Sequence, residues 1–206
     1  MRDSHGRAVA VLAGQFRDFD LAEEAEQDAW VDAMRTWGRD GPPDNRVGWI
    51  VATARRRAID RMRRGQRQDR LATTVGDGLL SEPTPVLDWV ADDDIPDERL
   101  RLIFTCCHPA IAPESRVALT LRTVVGLTTR EIARAFSTSE STMQQRIVRT
   151  KQRISTAGIP YRVPEADELP ERLKSVHSVI YAIFAEGYAA TEHPDFLRVD
   201  LVDEAI

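Results

Sequence analysis

Two groups of side chains in this 206-residue chain are of types and at spacings that could do chemistry, and they suit different chemistries. The larger lies between Gly126 and Ile154, GLTTREIARAFSTSESTMQQRIVRTKQRI. On a helical projection Ser141, Thr142, Gln145, Arg146, Arg149 and Arg153 share one side. They offer hydroxyl, amide and guanidinium groups suited to base edges and phosphates in a major groove. The smaller group is Cys106-Cys107-His108. A zinc site wants about four ligands, commonly spaced as in C-x2-C, and neighbours on a helix point ~100° apart. The chain has no other cysteine and only four histidines, so buried core thiols are the competing reading and no metal is assigned.

The first group needs two helices to position it. Thr128 with Glu131 three residues on forms a T-x-x-E capping box, which predicts a helix start. That short helix would bury Ile132, Ala133 and Phe136. Ser137-Thr138-Ser139 supplies a turn, with Ser139 as the next N-cap. On the second helix Met143, Ile147 and Ile154 face the core. This is a helix-turn-helix pattern; the bland alternative is a helical hairpin with a solvated basic face.

A second basic stretch is Asn45 to Arg64, NRVGWIVATARRRAIDRMRR. At about 100° per residue, Val47, Ile50, Val51, Ala54, Ala58 and Met62 share an apolar arc. Trp49, Thr53, Arg56, Arg57, Asp60 and Arg64 occupy another arc. Guanidinium groups there could track phosphate, and the indole could stack on an unpaired base or wedge against a neighbouring helix. Ahead of it, Val9, Leu12, Ala13 and Phe16 predict one short helix, with a break at Phe19-Asp20. Leu21, Ala25, Ala29, Ala33 and Trp37, widened by Trp30 and Met34, predict a second. Glu23, Glu24, Gln27 and Asp28 project elsewhere as an acidic surface, and Gly38 to Asp44 is a helix stop and loop.

The net charge of −5 argues against a nucleic-acid binder until its distribution is read. Arg46 to Arg67 holds eight arginines and one acid, whereas Gln68 to Glu98 holds nine acids and one arginine. Charge in blocks makes the total uninformative. Residues 65–96 read as an extended, acidic, mobile linker broken by Gly65, Gly76, Gly78, Pro83, Pro85 and Pro96, with room for a turn at Val86 to Val90. Helix returns from Asp97, where Leu100, Ile103 and Phe104 form a face, Pro109 and Pro113 enclose a kinked junction, and Val117, Leu121, Val124 and Val125 lead into the helix-turn-helix. After Gly158, Pro160 and Pro164, a new helix is expected from Leu169 with a stripe of Leu173, Val176, Ile180 and Phe184, to which Val179, Tyr181 and Ile183 add bulk. That stripe needs a partner, and the DNA-binding modules are the expected one. The chain then ends at Ile206 within an amphipathic pattern that has no stop signal, so the natural protein is expected to continue. The expected fold class is all-α. Two small helical modules over 1–64 and 97–156 are joined by the acidic linker over 65–96, and the start of a C-terminal helical extension covers 157–206. No signal peptide or apolar run of transmembrane length is visible, and the adjacent cysteines exclude a disulfide framework, so a soluble, cytoplasmic protein is expected.

Together these stretches resemble the extracytoplasmic-function (group IV, σ70-related) sigma factors of bacterial RNA polymerase. LAEEAEQDAWVDAMRTW is similar to the family's region 2.2, written D-A-E-D-x-x-Q-[DE]-x-F. VGWIVATARRRAIDRMRR is similar to regions 2.3 and 2.4, and the helix-turn-helix to region 4.2. FTCCHPAIAPE, GIPYRVPEADELPERL and VIYAIFAEGY resemble the subgroup that carries a C-terminal tetratricopeptide-like helical extension. The first helix is shorter than is usual in the family, Leu21 replaces the first acid of D-A-E-D, and Arg57 stands where Asn is common.

The resemblance implies a promoter-specificity subunit with no enzymatic activity and no cofactor. It implies RNA polymerase core, through its β′ clamp helices and β flap, and promoter DNA as partners, with no membrane. Glu23, Glu24, Gln27 and Asp28 would contact core. Asn45, Trp49, Arg56, Arg57, Asp60 and Arg64 would engage and open the −10 element. Ser141, Thr142, Gln145, Arg146 and Arg149 would read the −35 element, with Thr129 and Arg130 on the backbone. The linker would thread the polymerase cleft, and the extension would regulate intramolecularly. Two other readings stand beside it: a free-standing helix-turn-helix regulator, and a thiol or metal sensor built on Cys106, Cys107 and His108.

Overall fold

The computed structural model describes residues 2–72 and 95–189, and among these are eight α-helices and no strand. They are α1 (Arg2–Phe16), α2 (Phe19–Asp40), α3 (Arg46–Ala72), α4 (Ile95–Cys106), α5 (Pro113–Thr123), α6 (Thr129–Ala135), α7 (Glu140–Thr156) and α8 (Leu169–Ala189). Of the acidic linker expected over 65–96, residues 73–94, including the turn at Val86 to Val90, lie outside the described residues, as does the amphipathic pattern near Ile206, while 65–72 and 95–96 belong to helices α3 and α4.

The fold is built around α1. Its Ala8, Val9, Ala10, Leu12 and Ala13 are buried on more than one side, and small side chains let several helices approach closely. It packs against α2 and α3 on one hand and α4 and α5 on the other, so one continuous core serves both halves. The break after α1 falls at Arg17-Asp18, earlier than Phe19-Asp20. Arg17 adopts a left-handed φ of 56°, and the Asp18 carboxylate caps α2 by accepting from the Asp20 and Leu21 amides at 2.9 and 3.0 Å. Phe19 therefore opens α2 and is buried.

The alanine stripe of α2 faces inward as expected, but Met34 is 64% exposed and leaves that stripe. On α3, Val47, Ile50, Val51, Ala54 and Ala58 are buried while Met62 is exposed, and Thr53 of the polar arc is buried. The helix also passes through Gly65 to Ala72. One glycine costs a helix about 1 kcal/mol relative to alanine, and the arginines, glutamines and leucine around it are good formers that carry it across. Pro96 likewise falls inside a helix, in the first turn of α4, where its missing N–H is not needed. In α4 the buried positions are Leu102 and Phe104, whereas Leu100 is exposed and Ile103 half-buried.

The C-terminal segment docks on this body. Helix α7 ends in a Schellman motif: Gly158 has φ 60°, Ile159 N–H donates to Ile154 O at 3.0 Å and Gly158 N–H to Ser155 O at 3.2 Å. The turn sends Tyr161 into the core, where its hydroxyl donates to Ala10 O at 2.6 Å. Helix α8 then packs on α5 and α4. Its buried face is Val176, Val179 and Ile183 with Arg172 and Ser175; of the expected stripe, Leu173, Ile180 and Phe184 are exposed. The rotation follows from Arg172, which donates through Nη2 to Phe104 O at 2.6 Å near the end of α4 and draws its own side of the helix inward.

Candidate nucleic-acid interface

The helix-turn-helix forms as the residues dictate. The Thr128 hydroxyl accepts from Glu131 N–H at 3.2 Å while the Glu131 carboxylate accepts from Thr128 N–H at 2.8 Å, closing the capping box. Ile132 and Ala133 are buried and Phe136 half-buried. Ser137 turns the chain with φ 48°, and the Ser139 hydroxyl accepts from Thr142 N–H at 3.2 Å to start α7. Met143, Ile147 and Ile154 anchor α7 to the core.

With that face fixed inward, Ser141, Thr142, Gln145, Arg149 and Arg153 are exposed together on the opposite side, and Arg130 is exposed at the start of α6. Thr129 is tied to α7 by its hydroxyl, which donates to Gln144 Oε1 at 3.1 Å. Arg146 is more restrained than its neighbours. Its guanidinium carbon lies 5.6 Å above the Phe136 ring, and Nη1 is ion-paired to Glu114 at 3.0 Å. Thr142, Gln145, Arg146, Arg149 and Arg153 line a groove of about 490 Å³ whose far wall is the α4–α5 junction, Ala110 to Ala112 and Ser115. Arg116 holds that wall by donating to Ile111 O at 2.6 Å and Pro109 O at 2.9 Å.

The polar face of α3 is only partly free. Arg56 and Arg64 are exposed and bond no further than their own helix, to Ala52 O and Asp60 O. Asp60 is also exposed. Arg57 donates from Nε and Nη2 to Asp32 on α2, and that carboxylate holds its guanidinium firmly charged. Asn45 is the N-cap of α3, its Oδ1 accepting from Gly48 N–H at 2.6 Å. Trp49 is half-buried in an edge-to-face series in which its ring is 5.3 Å from Trp37, and Trp37 is 5.7 Å from Trp30. That is the wedge position, and it fixes α3 on α2.

The acidic set is divided. Glu24, Gln27 and Asp28 remain on the surface, where Arg61 pairs with Glu24 and with Asp28, the latter at 2.7 Å. Glu23 does not belong to that surface: it is 5% exposed, beneath α5 and α7, because Arg122 and Lys151 draw its carboxylate inward. Arg61, Asp32, Arg122 and Lys151 were not singled out from sequence. The acid–base spacing that marks an ion pair within one helix is missing when the partners are 25 to 99 residues apart or more.

Cys106 and Cys107 are buried, with their thiols against Thr123 and Thr120 hydroxyls at 3.3 and 3.7 Å. Burial pushes both thiols up, Cys107 to about 11, and Cys106 further. His108 is pulled down by burial and by Arg172 and Arg116. Among the described residues no three metal-ligating side chains come together. A thiol held protonated in the core is a poor ligand and a poor nucleophile, so the geometry favours the core reading.

A capped helix-turn-helix with its polar face outward, sharing a core with an arginine-bearing three-helix module, defines a two-module all-helical protein. The family model described as sigma-70 region 2 matches residues 1–68, and that described as sigma-70, region 4 matches residues 101–154, together more than half the chain. The chain belongs to the sigma-70 family. It is 41% identical over 204 residues to a protein of Rhizobium meliloti (strain 1021) named uncharacterized protein R00370, covering 97% of this chain and 48% of that one. The chain thus spans about half the length of that relative. It is 28% identical over 143 residues to the ECF RNA polymerase sigma factor SigK of Mycobacterium ulcerans (strain Agy99), 68% of this chain and 74% of that one. The SigK of Mycobacterium bovis (strain BCG / Pasteur 1173P2) is 29% identical over the same shares. No solved structure gives a significant match.

Proposed function

We propose that the protein is a sigma factor of the extracytoplasmic-function type, which binds RNA polymerase core and directs it to promoters with −35 and −10 elements. The observation that carries this is the exposed set Ser141, Thr142, Gln145 and Arg149 on a helix capped and anchored for groove entry, in a chain that also holds a region 2 module. Helix α7 would read −35, with Arg130 and Thr129 at the backbone and Arg146 held ready by Phe136. Arg56 and Arg64 would contact phosphates at −10, with Arg57, Asn45, Asp60 and Trp49 around them. A base extruded during opening costs a few kcal/mol of unstacking, which phosphate contacts can offset. Glu24, Gln27 and Asp28 would meet core. The linker would follow the polymerase cleft, and α8 would begin the tetratricopeptide-like extension that regulates activity. No helix among the described residues is long and apolar enough to cross a membrane, in keeping with a cytoplasmic place of work.

The test is co-purification with core RNA polymerase followed by transcription from a promoter library. A stable complex whose transcripts start downstream of one shared −35/−10 pair is expected. Operator binding by the isolated chain with no affinity for core would instead make it a free-standing regulator.

A further inference from the structure

Arg146 differs from Gln145, Arg149 and Arg153, its exposed neighbours on α7, in being held from two directions. Its guanidinium carbon lies 5.6 Å above the Phe136 ring at the end of α6. Its Nη1 lies 3.0 Å from Glu114 Oε2, in the first turn of α5. Nη1 is shut off from solvent and makes no hydrogen bond, so the Glu114 carboxylate is what offsets its burial. A guanidinium is planar and presents its donors as a rigid fork. With one face against a ring and Nη1 turned toward α5, the Nε–Nη2 edge is the pair of donors left to face a ligand.

Glu114 is out of place on a surface that meets DNA. Its side chain is 73% exposed, between Ala112 and Ser115 of the wall that faces Arg146, Arg149 and Arg153 across the groove. A carboxylate there repels phosphate and lowers affinity for any duplex. An acid in the first turn of a helix is favoured by the helix dipole, which accounts for the residue type but not for the reach across to α7. That reach starts from a fixed point, because Arg116 pins the junction through Ile111 O and Pro109 O. An exposed ion pair contributes little to stability, so the effect of this one falls on where Arg146 points.

We infer that Glu114 is a positioning residue for sequence reading: it holds Arg146 so that the Nε–Nη2 fork meets a guanine edge in the −35 element instead of a phosphate. An arginine fork matches guanine O6 and N7, a contact that discriminates by about tenfold. A guanidinium released from Glu114 can swing to a phosphate, which carries no sequence information. The guanine contact rests on the sigma reading and on α7 being seated by Gln145 and Arg149; the positioning of Arg146 does not. Two variants separate the roles. Glu114→Asp keeps the charge at the start of α5 but withdraws the carboxylate by one methylene, and Glu114→Gln keeps the reach but removes the charge. In the free full chain, nitrogen-15 relaxation of the Arg146 Nε–H should show it more ordered than that of Arg149, and Glu114→Asp should bring the two level. With core polymerase, transcription across single-base −35 variants should reveal one guanine whose replacement costs about tenfold and whose preference Arg146→Ala removes. Both Glu114 variants should cut that preference to about twofold without lowering transcription from the replaced sequences. Glu114→Gln alone should also steepen the salt dependence, by about one unit of the log–log slope. Full guanine preference in both variants, or an Arg146 no more ordered than Arg149 in the parent, would overturn the inference. So would a uniform loss on every −35 variant with a lowered denaturant midpoint, which would make Glu114 a support of α5 only. No affinity for core, with Arg146 ordered in the parent and freed by Glu114→Asp, would keep the positioning and overturn the sigma reading with its −35 assignment.

Discussion

At the scale of single residues, environment rather than identity decides what each side chain can do. Cys106-Cys107-His108 has the composition of a sensor, yet both thiols are buried and burial raises their pKa, that of Cys107 to about 11. The native chain should therefore react slowly with iodoacetamide at pH 7.5, and faster toward pH 11, while both thiols should react at once in denaturant. Rapid native alkylation of either, read by mass spectrometry, would restore the sensor reading. The arginines were legible as a group but not singly. Arg56 and Arg64 are exposed and bond within α3, whereas Arg57 and Arg61 are engaged by Asp32, Glu24 and Asp28 of α2. Such pairing between helices has no sequence spacing to announce it. The same holds for Glu23, whose two cations come from α5 and α7.

At the scale of elements, local chemistry was the best guide. The capping box at Thr128, the Ser139 cap and the glycine stop at Gly158 all stand where residue type and offset place them, because each is satisfied within a few residues. Thr128→Ala should lower stability by about 1 kcal/mol, seen as a shift of the denaturant midpoint without a change in slope. A loss near zero would mean that α6 is held by Ile132 alone. Face assignments held in α7, whose apolar side meets α5 and α6, and failed where a long-range polar contact turns the helix. In α8, Arg172 on Phe104 O rotates the buried side to Val176, Val179 and Ile183, and hydrophobic spacing alone cannot reveal that anchor. The extension of α3 through Gly65 was missed for another reason: a lone glycine is a weak breaker beside strong formers.

At the scale of the whole molecule, the all-α fold and the two sigma-70 modules were readable from periodicity and motif, but their union was not. Helix α1 supplies small residues to both modules, and Tyr161 returns from beyond α7 to bond Ala10, so the described residues share one core. The proposed sigma function requires each module to be assigned to its own promoter element. Transcription by core polymerase with the chain, on promoters altered at −35 or at −10, measures that assignment directly. Gln145→Ala with Arg149→Ala should abolish discrimination between −35 variants and leave discrimination at −10 intact; Arg56→Ala should weaken all promoters by a similar factor, as loss of a phosphate contact does. Unaltered −35 discrimination by the α7 double variant would contradict the account.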